Sequence, residues 1–106
     1  MMKKLFVLAG LVALSAPVFA ADEAAAMDIA KKSNCVACHA LDKKLVGPSF
    51  KDIGAKYAGV AGAEADLITK VKKGTKGTWG AMPMPPNATV KDADIKTVVQ
   101  YILTLK

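Results

Sequence analysis

Residues 35–39 read Cys-Val-Ala-Cys-His, and this stretch contains the only two cysteines and the only histidine among the 106 residues. The C-x-x-C-H pattern is the attachment signature of c-type haem. The spacing suits that chemistry, because two thiols can add to the two haem vinyl groups as thioethers while the next residue brings its imidazole to the iron. The pattern therefore predicts one haem c bound covalently through Cys35 and Cys38, with His39 as an axial ligand.

Three other kinds of site use cysteine or histidine at similar spacing. A thioredoxin-like redox pair is expected in a βαβ context, which the sequence lacks, and it gives His39 no role. A zinc site needs four ligands as a rule, and these residues supply three. A disulfide between Cys35 and Cys38 would close a very small loop and stabilise little. Haem attachment is the interpretation that uses all three side chains.

The first 20 residues have the three-part pattern of a secretory signal peptide. A pair of lysines precedes an apolar run over residues 5–14, and small residues mark a cleavage site after Ala20 or Ala21. About ten apolar residues at roughly 1.5 Å each span about half of a bilayer core, which disfavours a retained membrane anchor. We therefore expect a signal peptide over 1–20, a mature domain over 21–106 and a periplasmic location.

The composition indicates one small, basic, folded domain. Lysines number 15, arginine is absent, and nine acidic residues leave a formal net charge of +6. Beyond the signal peptide about 48% of the residues are hydrophobic, which is typical of a globular domain. Aromatic residues make up 6% of the chain. This low aromatic content and the lack of arginine disfavour nucleic-acid binding.

Four segments have helical patterning, and none alternates as a strand would. These segments are residues 21–33, 50–58, 64–73 and 92–106. The last is the clearest, since its apolar residues recur at i, i+3, i+4, i+7 and i+8; they are Ile95, Val98, Val99, Ile102 and Leu103. An all-α fold of about four short helices is predicted. A domain of this size often needs a staple, which favours a bound prosthetic group.

The ends of these helices also have sequence signals. Asp22 and Glu23 are expected in the first turn of the first helix, where the helix dipole favours negative charge. Pro48 and Ser49 can begin the second helix. Gly74 is expected to end the third.

Residues 74–87 are rich in glycine and proline and lack helical periodicity, which predicts an ordered loop or linker. Met82 and Met84 alternate with prolines in this segment, whereas Met27 lies in a helical pattern and is interpreted as core filler. Prolines fix φ and remove backbone donors, so the segment is a stiff strap that could hold a thioether against the iron. A thioether raises the reduction potential. The residues alone do not decide between Met82 and Met84.

The mature chain resembles a small bacterial class I cytochrome c, of the cytochrome c-551/c-552 kind found in pseudomonads and ammonia oxidisers. The matching stretches are residues 35–39, 46–48, 50–53, 57–58, 79–80, 83–88 and 102–106. In that family the methionine before the double proline is the iron ligand, which implies Met84 here. The resemblance also implies a small all-α cytochrome c fold wrapped around one covalently bound haem.

The resemblance implies roles for three further residues. The Pro48 carbonyl is expected to accept a hydrogen bond from the ring of His39, which would orient the ring and raise its basicity. Asn87 is expected near the ligand sulfur, and Trp79 near the haem propionates. Simpler roles exist for each: Pro48 as a first helical residue, Asn87 as a turn residue and Trp79 as a core residue.

One residue departs from the family pattern. Lys91 stands where relatives often carry a serine that caps the last helix. A lysine cannot cap a helix N-terminus, so we expect a looser start or a shift that uses Thr89.

Two protein ligands would leave no open coordination position, which predicts an electron carrier and not an enzyme. An apolar shell would exclude water from the haem; its expected members are Phe50, Ile53, Leu67, Ile68, Val98, Val99 and Ile102. The expected partners are redox proteins of the respiratory chain, an oxidase, reductase or peroxidase. They would dock transiently on a soluble monomer whose lysines steer acidic surfaces. The alternatives are a haem protein that binds a small ligand, which needs an open sixth position, and a haem-free disulfide domain.

Overall fold

A computed structural model describes residues 18–80 and 82–105. Four helices follow one another along the chain: α1 (Val18–Lys32), α2 (Phe50–Lys56), α3 (Ala63–Lys73) and α4 (Asp92–Thr104). A single 3₁₀ turn, Cys35–Ala37, lies between α1 and α2. Outside the helices, β-pairing in the described ranges consists of two isolated bridges. The predicted all-α fold of about four short helices is confirmed.

Helix α1 starts earlier than the sequence pattern indicates. It begins at Val18, so Asp22 and Glu23 lie beyond its first turn, and their predicted placement in that turn is wrong for this chain. Residues 18–32 contain no proline or glycine and are rich in alanine, which has the highest helix propensity, so the helix includes the residues before Asp22. The predicted signal peptide lies outside the described residues except for 18–20, and its cleavage stays a prediction.

Helix α2 begins at the predicted place. Ser49 is its N-cap, and the buried Ser49 Oγ accepts a hydrogen bond from the N–H of Asp52 at 3.0 Å. Pro48 therefore precedes the cap, and its alternative role as a first helical residue is wrong. The helix ends at Lys56, two residues before the predicted end. Gly74, with a φ of 84°, terminates α3 as predicted.

Helix α4 begins without a side-chain cap. Lys91 is the N-cap residue and makes no capping hydrogen bond, while Asp92 and Asp94 place negative charge in the first turn. The expected shift to Thr89 is wrong, because the helix starts at the register that these acidic residues favour. The predicted end at Lys106 is wrong, because the helix ends at Thr104 and Leu105 already has extended backbone angles.

Helix α4 is the centre of the fold, since it packs against α1, α2 and α3. Its predicted apolar face is confirmed: Ile95, Val98, Val99 and Ile102 are buried, and Leu103 packs at the margin of the core. Met27 also packs against this core, as its interpretation as core filler requires. None of the described helices is both long and apolar enough to cross a membrane.

Candidate functional site

An apolar cavity of about 390 Å³ opens between the helices and the loop that joins α3 to α4. Six of the residues predicted to form an apolar shell line it: Phe50, Ile53, Leu67, Val98, Val99 and Ile102. Ile68 does not line the cavity and instead packs against the outside of the core, so that part of the prediction is wrong. Adjacent helical residues point about 100° apart, so Val71, one turn after Leu67, takes the place expected of Ile68.

The C-x-x-C-H motif folds as a tight turn at the wall of this cavity. Asn34 has a φ of 64°, and the N–H groups of Cys38 and His39 both donate to the Cys35 carbonyl, at 3.1 and 2.9 Å. Both cysteines are free and half-buried. Cys35, Cys38 and His39 all line the one cavity, so two thiols and an imidazole face the same apolar space.

The environment of the cysteines bears on the alternative interpretations. Burial raises the pKa of the Cys35 thiol; the nearby Cys38 adds to this effect, and a backbone hydrogen bond opposes it. Reactive redox cysteines have lowered pKa values, so a thioredoxin-like pair is disfavoured. In the ranges that the structure describes, no three His, Cys, Asp or Glu side chains converge as ligands for one metal ion. The zinc interpretation therefore has no supporting geometry.

The imidazole of His39 is held on three sides. Its Nδ1 lies 2.7 Å from the Pro48 carbonyl oxygen, and its ring stacks on Phe50 with centroids 5.7 Å apart. Because a carbonyl oxygen can only accept, Nδ1 carries the proton and Nε2 keeps a free lone pair. Gly47 packs directly against the ring: a Cβ at this position would lie only 2.6 Å from Cε1, so the contact needs a residue without a side chain. The ring is therefore fixed in the tautomer that can ligate iron through Nε2.

Gly47→Ala is expected to displace this imidazole. The added methyl would lie 2.6 Å from Cε1 and 3.0 Å from Nδ1 of His39, so the ring must move away from Gly47, and we expect its hydrogen bond to Pro48 to lengthen. We expect a loss of about 2 kcal/mol in the free energy of unfolding, as for an overpacked core site. Urea unfolding and the NMR resonance of the His39 Nδ1 proton measure the two effects. Pro48→Ala is the control, because it keeps the backbone carbonyl; a wild-type Nδ1 signal and stability in Gly47→Ala would contradict the prediction.

Met84 is fixed by its backbone. Its N–H donates to the Thr75 carbonyl at 2.9 Å, and the Thr75 N–H donates to the Met84 carbonyl at 3.0 Å. Both Met82 and Met84 line the cavity, but Met82 is 65% exposed, whereas Met84 is half-buried. The thioether on the anchored part of the loop is therefore that of Met84.

Asn87 fastens the same loop to α3. Its backbone N–H and its side-chain Nδ2 both donate to the Val71 carbonyl, at 3.1 and 3.2 Å, and Nδ2 also lies 3.4 Å from the Pro85 carbonyl. The residue therefore does more than form a turn. Its expected approach to the ligand sulfur stays a prediction.

Trp79 lies at the mouth of the cavity. It is 40% exposed, so its alternative role as a core residue is wrong. The ammonium of Lys56 lies 5.2 Å from the centroid of its ring, a cation–π contact between the end of α2 and the loop. Its expected position near the haem propionates stays a prediction.

Sequence reasoning missed the partners of the loop. Val71, Lys72 and Thr75 bind it through contacts with residues 9 to 20 positions further along the chain, and no local pattern marks such contacts. Gly74 offered a partial signal, because a glycine at a helix end often adopts positive φ and allows close approach of another backbone.

The chain is similar to the same kind of protein in its family, its sequence and its structure. A family model described as cytochrome c matches residues 23–106. Cytochrome c-552 of Nitrosomonas europaea is 50% identical over 97 residues, which cover 92% of this chain and 94% of that protein. Cytochrome c-551 of Pseudomonas aeruginosa is 53% identical over 76 residues, 72% of each chain. The crystal structure of wild-type Nitrosomonas europaea cytochrome c552 matches with a TM-score of 0.73 and 54% identity, covering 76% of this chain and 99% of that one.

Proposed function

Since the chain belongs to the cytochrome c family, we propose that it is a one-electron carrier whose single haem is attached through Cys35 and Cys38 and ligated by His39 and Met84. One observation carries the proposal. One apolar cavity is lined by two thiols, an imidazole and a thioether. Pro48 holds the imidazole through its Nδ1, and backbone pairing anchors the residue that carries the thioether.

The residues present fit a c-type haem. Two thiols suit its two vinyl groups, imidazole nitrogen and thioether sulfur are both ligands of haem iron, and the cavity has the size and apolar lining of a cofactor site. When bound, the haem supplies the one-electron Fe(III)/Fe(II) couple.

The protein side chains define how that couple would behave. The hydrogen bond from His39 Nδ1 to the Pro48 carbonyl orients the imidazole so that Nε2 is available as a ligand. The Met84 sulfur favours the reduced state and raises the potential, and the apolar lining keeps water away. Two protein ligands leave no position for a substrate, and rigid ligands need little rearrangement on electron transfer. The arrangement favours electron transfer over catalysis.

We further propose that redox partners dock at the mouth of the cavity. Val46, Trp79 and Met82 line the cavity and are also exposed, which gives the mouth an apolar rim. Lys44 lines the same region, and the net charge of the chain is positive. An apolar contact within a basic surface suits brief encounters with acidic respiratory proteins. The signal-peptide pattern supports a periplasmic location, and we propose that the carrier acts as a monomer.

Removal of both thiols tests haem attachment. The wild-type protein, expressed with the haem maturation machinery, is expected to keep its red pigment through acid and organic extraction. Cys35→Ser/Cys38→Ser is expected to release all of the pigment, because no carbon–sulfur bond then joins haem to chain. Visible spectra of the extracted polypeptide and of the solvent measure the partition. Val36→Ala, between the two cysteines, is the control; free extraction of pigment from wild type, or its absence, would overturn the proposal.

A further inference from the structure

Lys72 connects the last turn of α3 to the residues that enter α4. Its Nζ donates to the Val90 carbonyl at 2.7 Å and lies 2.8 Å from Asp92 Oδ1. The Lys72 side chain is 33% exposed, whereas the lysine of the Lys32–Asp28 pair is 75% exposed. The Asp92 side chain is 79% exposed, so the ion pair itself lies at the surface. What distinguishes Lys72 is the second, charge-assisted hydrogen bond from its ammonium to the part-buried Val90 carbonyl.

The Lys72 ammonium lies where a local cap is missing. The N-cap residue of α4, Lys91, makes no side-chain hydrogen bond. Lys72 instead binds the residue before the cap, through its carbonyl, and the first helical residue, through its carboxylate. The junction of loop and helix is therefore held from another helix and not by local capping.

The segment from Met84 to Asp92, here called the methionine strap, is anchored at three points on residues 71–75. Met84 pairs with Thr75 at one end, and Asn87 bonds to Val71 in the middle. Lys72 holds the far end at Val90 and Asp92. Of these anchors it is the ionic one.

We propose that Lys72 is a positioning residue for Met84: by fixing the far end of the methionine strap, it keeps the thioether in place against the haem iron. The inference rests on the proposed ligand role of Met84. A weakly bound axial ligand competes with external ligands, and chain freedom near it favours the competitor. Loss of an anchor six to eight residues from Met84 therefore weakens its hold on the iron without touching the sulfur.

Lys73 provides a matched comparison. It is the next residue and the last of α3, and it is exposed. In the described part of the chain no hydrogen bond or ion pair involves its ammonium. Lys73→Met therefore removes the same charge from the same helix end but removes no anchor.

The experiment uses the oxidised holoprotein and titrates it with imidazole while the weak long-wavelength band of sulfur-bound ferric iron is followed. Lys72→Met is expected to bind imidazole about tenfold more tightly than wild type, the size expected for losing hydrogen bonds to a charged group. The imidazole affinities of Lys73→Met and Lys72→Arg are expected to stay within about twofold of wild type. Lys73→Met keeps the Lys72 anchor, and Lys72→Arg replaces it with another charged donor. Hydrogen exchange of the Met84 N–H is expected to accelerate in Lys72→Met alone.

Asp92→Asn provides a second variant if Lys72→Met does not fold. It loses the ion pair and keeps the Val90 contact, so we expect a smaller increase in imidazole affinity than the tenfold expected for Lys72→Met. Equal affinities for Lys72→Met and Lys73→Met, or no increase in Asp92→Asn where Lys72→Met does not fold, would overturn the positioning role. A wild-type protein that lacks the long-wavelength band would instead overturn the Met84 ligand itself, and the inference with it.

Discussion

Met84→Ala is expected to open the iron to carbon monoxide, whereas Met82→Ala is expected to leave it closed. Both thioethers line the cavity, but the backbone of Met84 is paired with Thr75 and Met82 is 65% exposed. Alanine at 84 would leave the sixth position to water or an added ligand. We also expect the reduction potential to fall by on the order of 100 mV, a fraction of the roughly 0.8 V range that axial ligands control.

Absorption spectra of the reduced proteins under carbon monoxide measure the first effect, and redox titration measures the second. Met82→Ala is the matched control, since it removes a thioether two residues away in the same loop between α3 and α4. If Met82→Ala opened the iron and Met84→Ala did not, the ligand assignment would be wrong. Prompt carbon monoxide binding by the wild type at neutral pH would favour the alternative of a haem protein that binds small ligands.

Gly74→Ala is expected to destabilise the fold by about 3 kcal/mol, because positive φ combined with a ψ of 168° is a backbone region that essentially only glycine adopts, at about 1–3 kcal/mol for other residues, and because the added Cβ overpacks the site. Gly74 has a φ of 84°, and a Cβ there would lie 2.6 Å from the Met84 carbonyl oxygen and 3.0 Å from the Pro86 nitrogen. Both obstacles are backbone atoms, so relief requires the methionine strap to move away from α3. We expect loss of the Thr75–Met84 pairing.

Gly77→Ala separates the two causes. Gly77 has a φ of 82°, nearly that of Gly74, but a Cβ there meets nothing within 4 Å. It should show the strain alone, about 1 kcal/mol. Denaturant unfolding of both holoproteins gives the free energies, and the sulfur–iron band reports whether Met84 stays bound. Equal losses in the two variants, with the band intact, would mean that the close approach at Gly74 contributes nothing.

Much of the fold was predictable because its signals are local. Helical periodicity depends on spacings of three and four residues, and it located the apolar face of α4 correctly. Helix ends were less predictable where the prediction used charge alone. The acidic residues Asp22 and Glu23 were expected to mark the start of α1, but helix-forming residues before them allow the helix to start earlier. Ile68 shows a similar limit, because adjacent helical residues point about 100° apart and periodicity alone did not show that Leu67, and not Ile68, faces the cavity.

The sequence by itself determined the class of site: the C-x-x-C-H motif carries its chemistry in five consecutive residues, so covalent spacing alone brings two thiols and an imidazole together. The residues alone left Met82 and Met84 as candidates, and the family resemblance implied Met84. The tertiary structure adds an independent difference between them, because it pairs the backbone of Met84 with Thr75 and leaves Met82 exposed. It also brought Lys72 to residues 18 and 20 positions away. Such contacts depend on how helices pack and where a loop returns, and these are properties of the whole chain that no short stretch encodes.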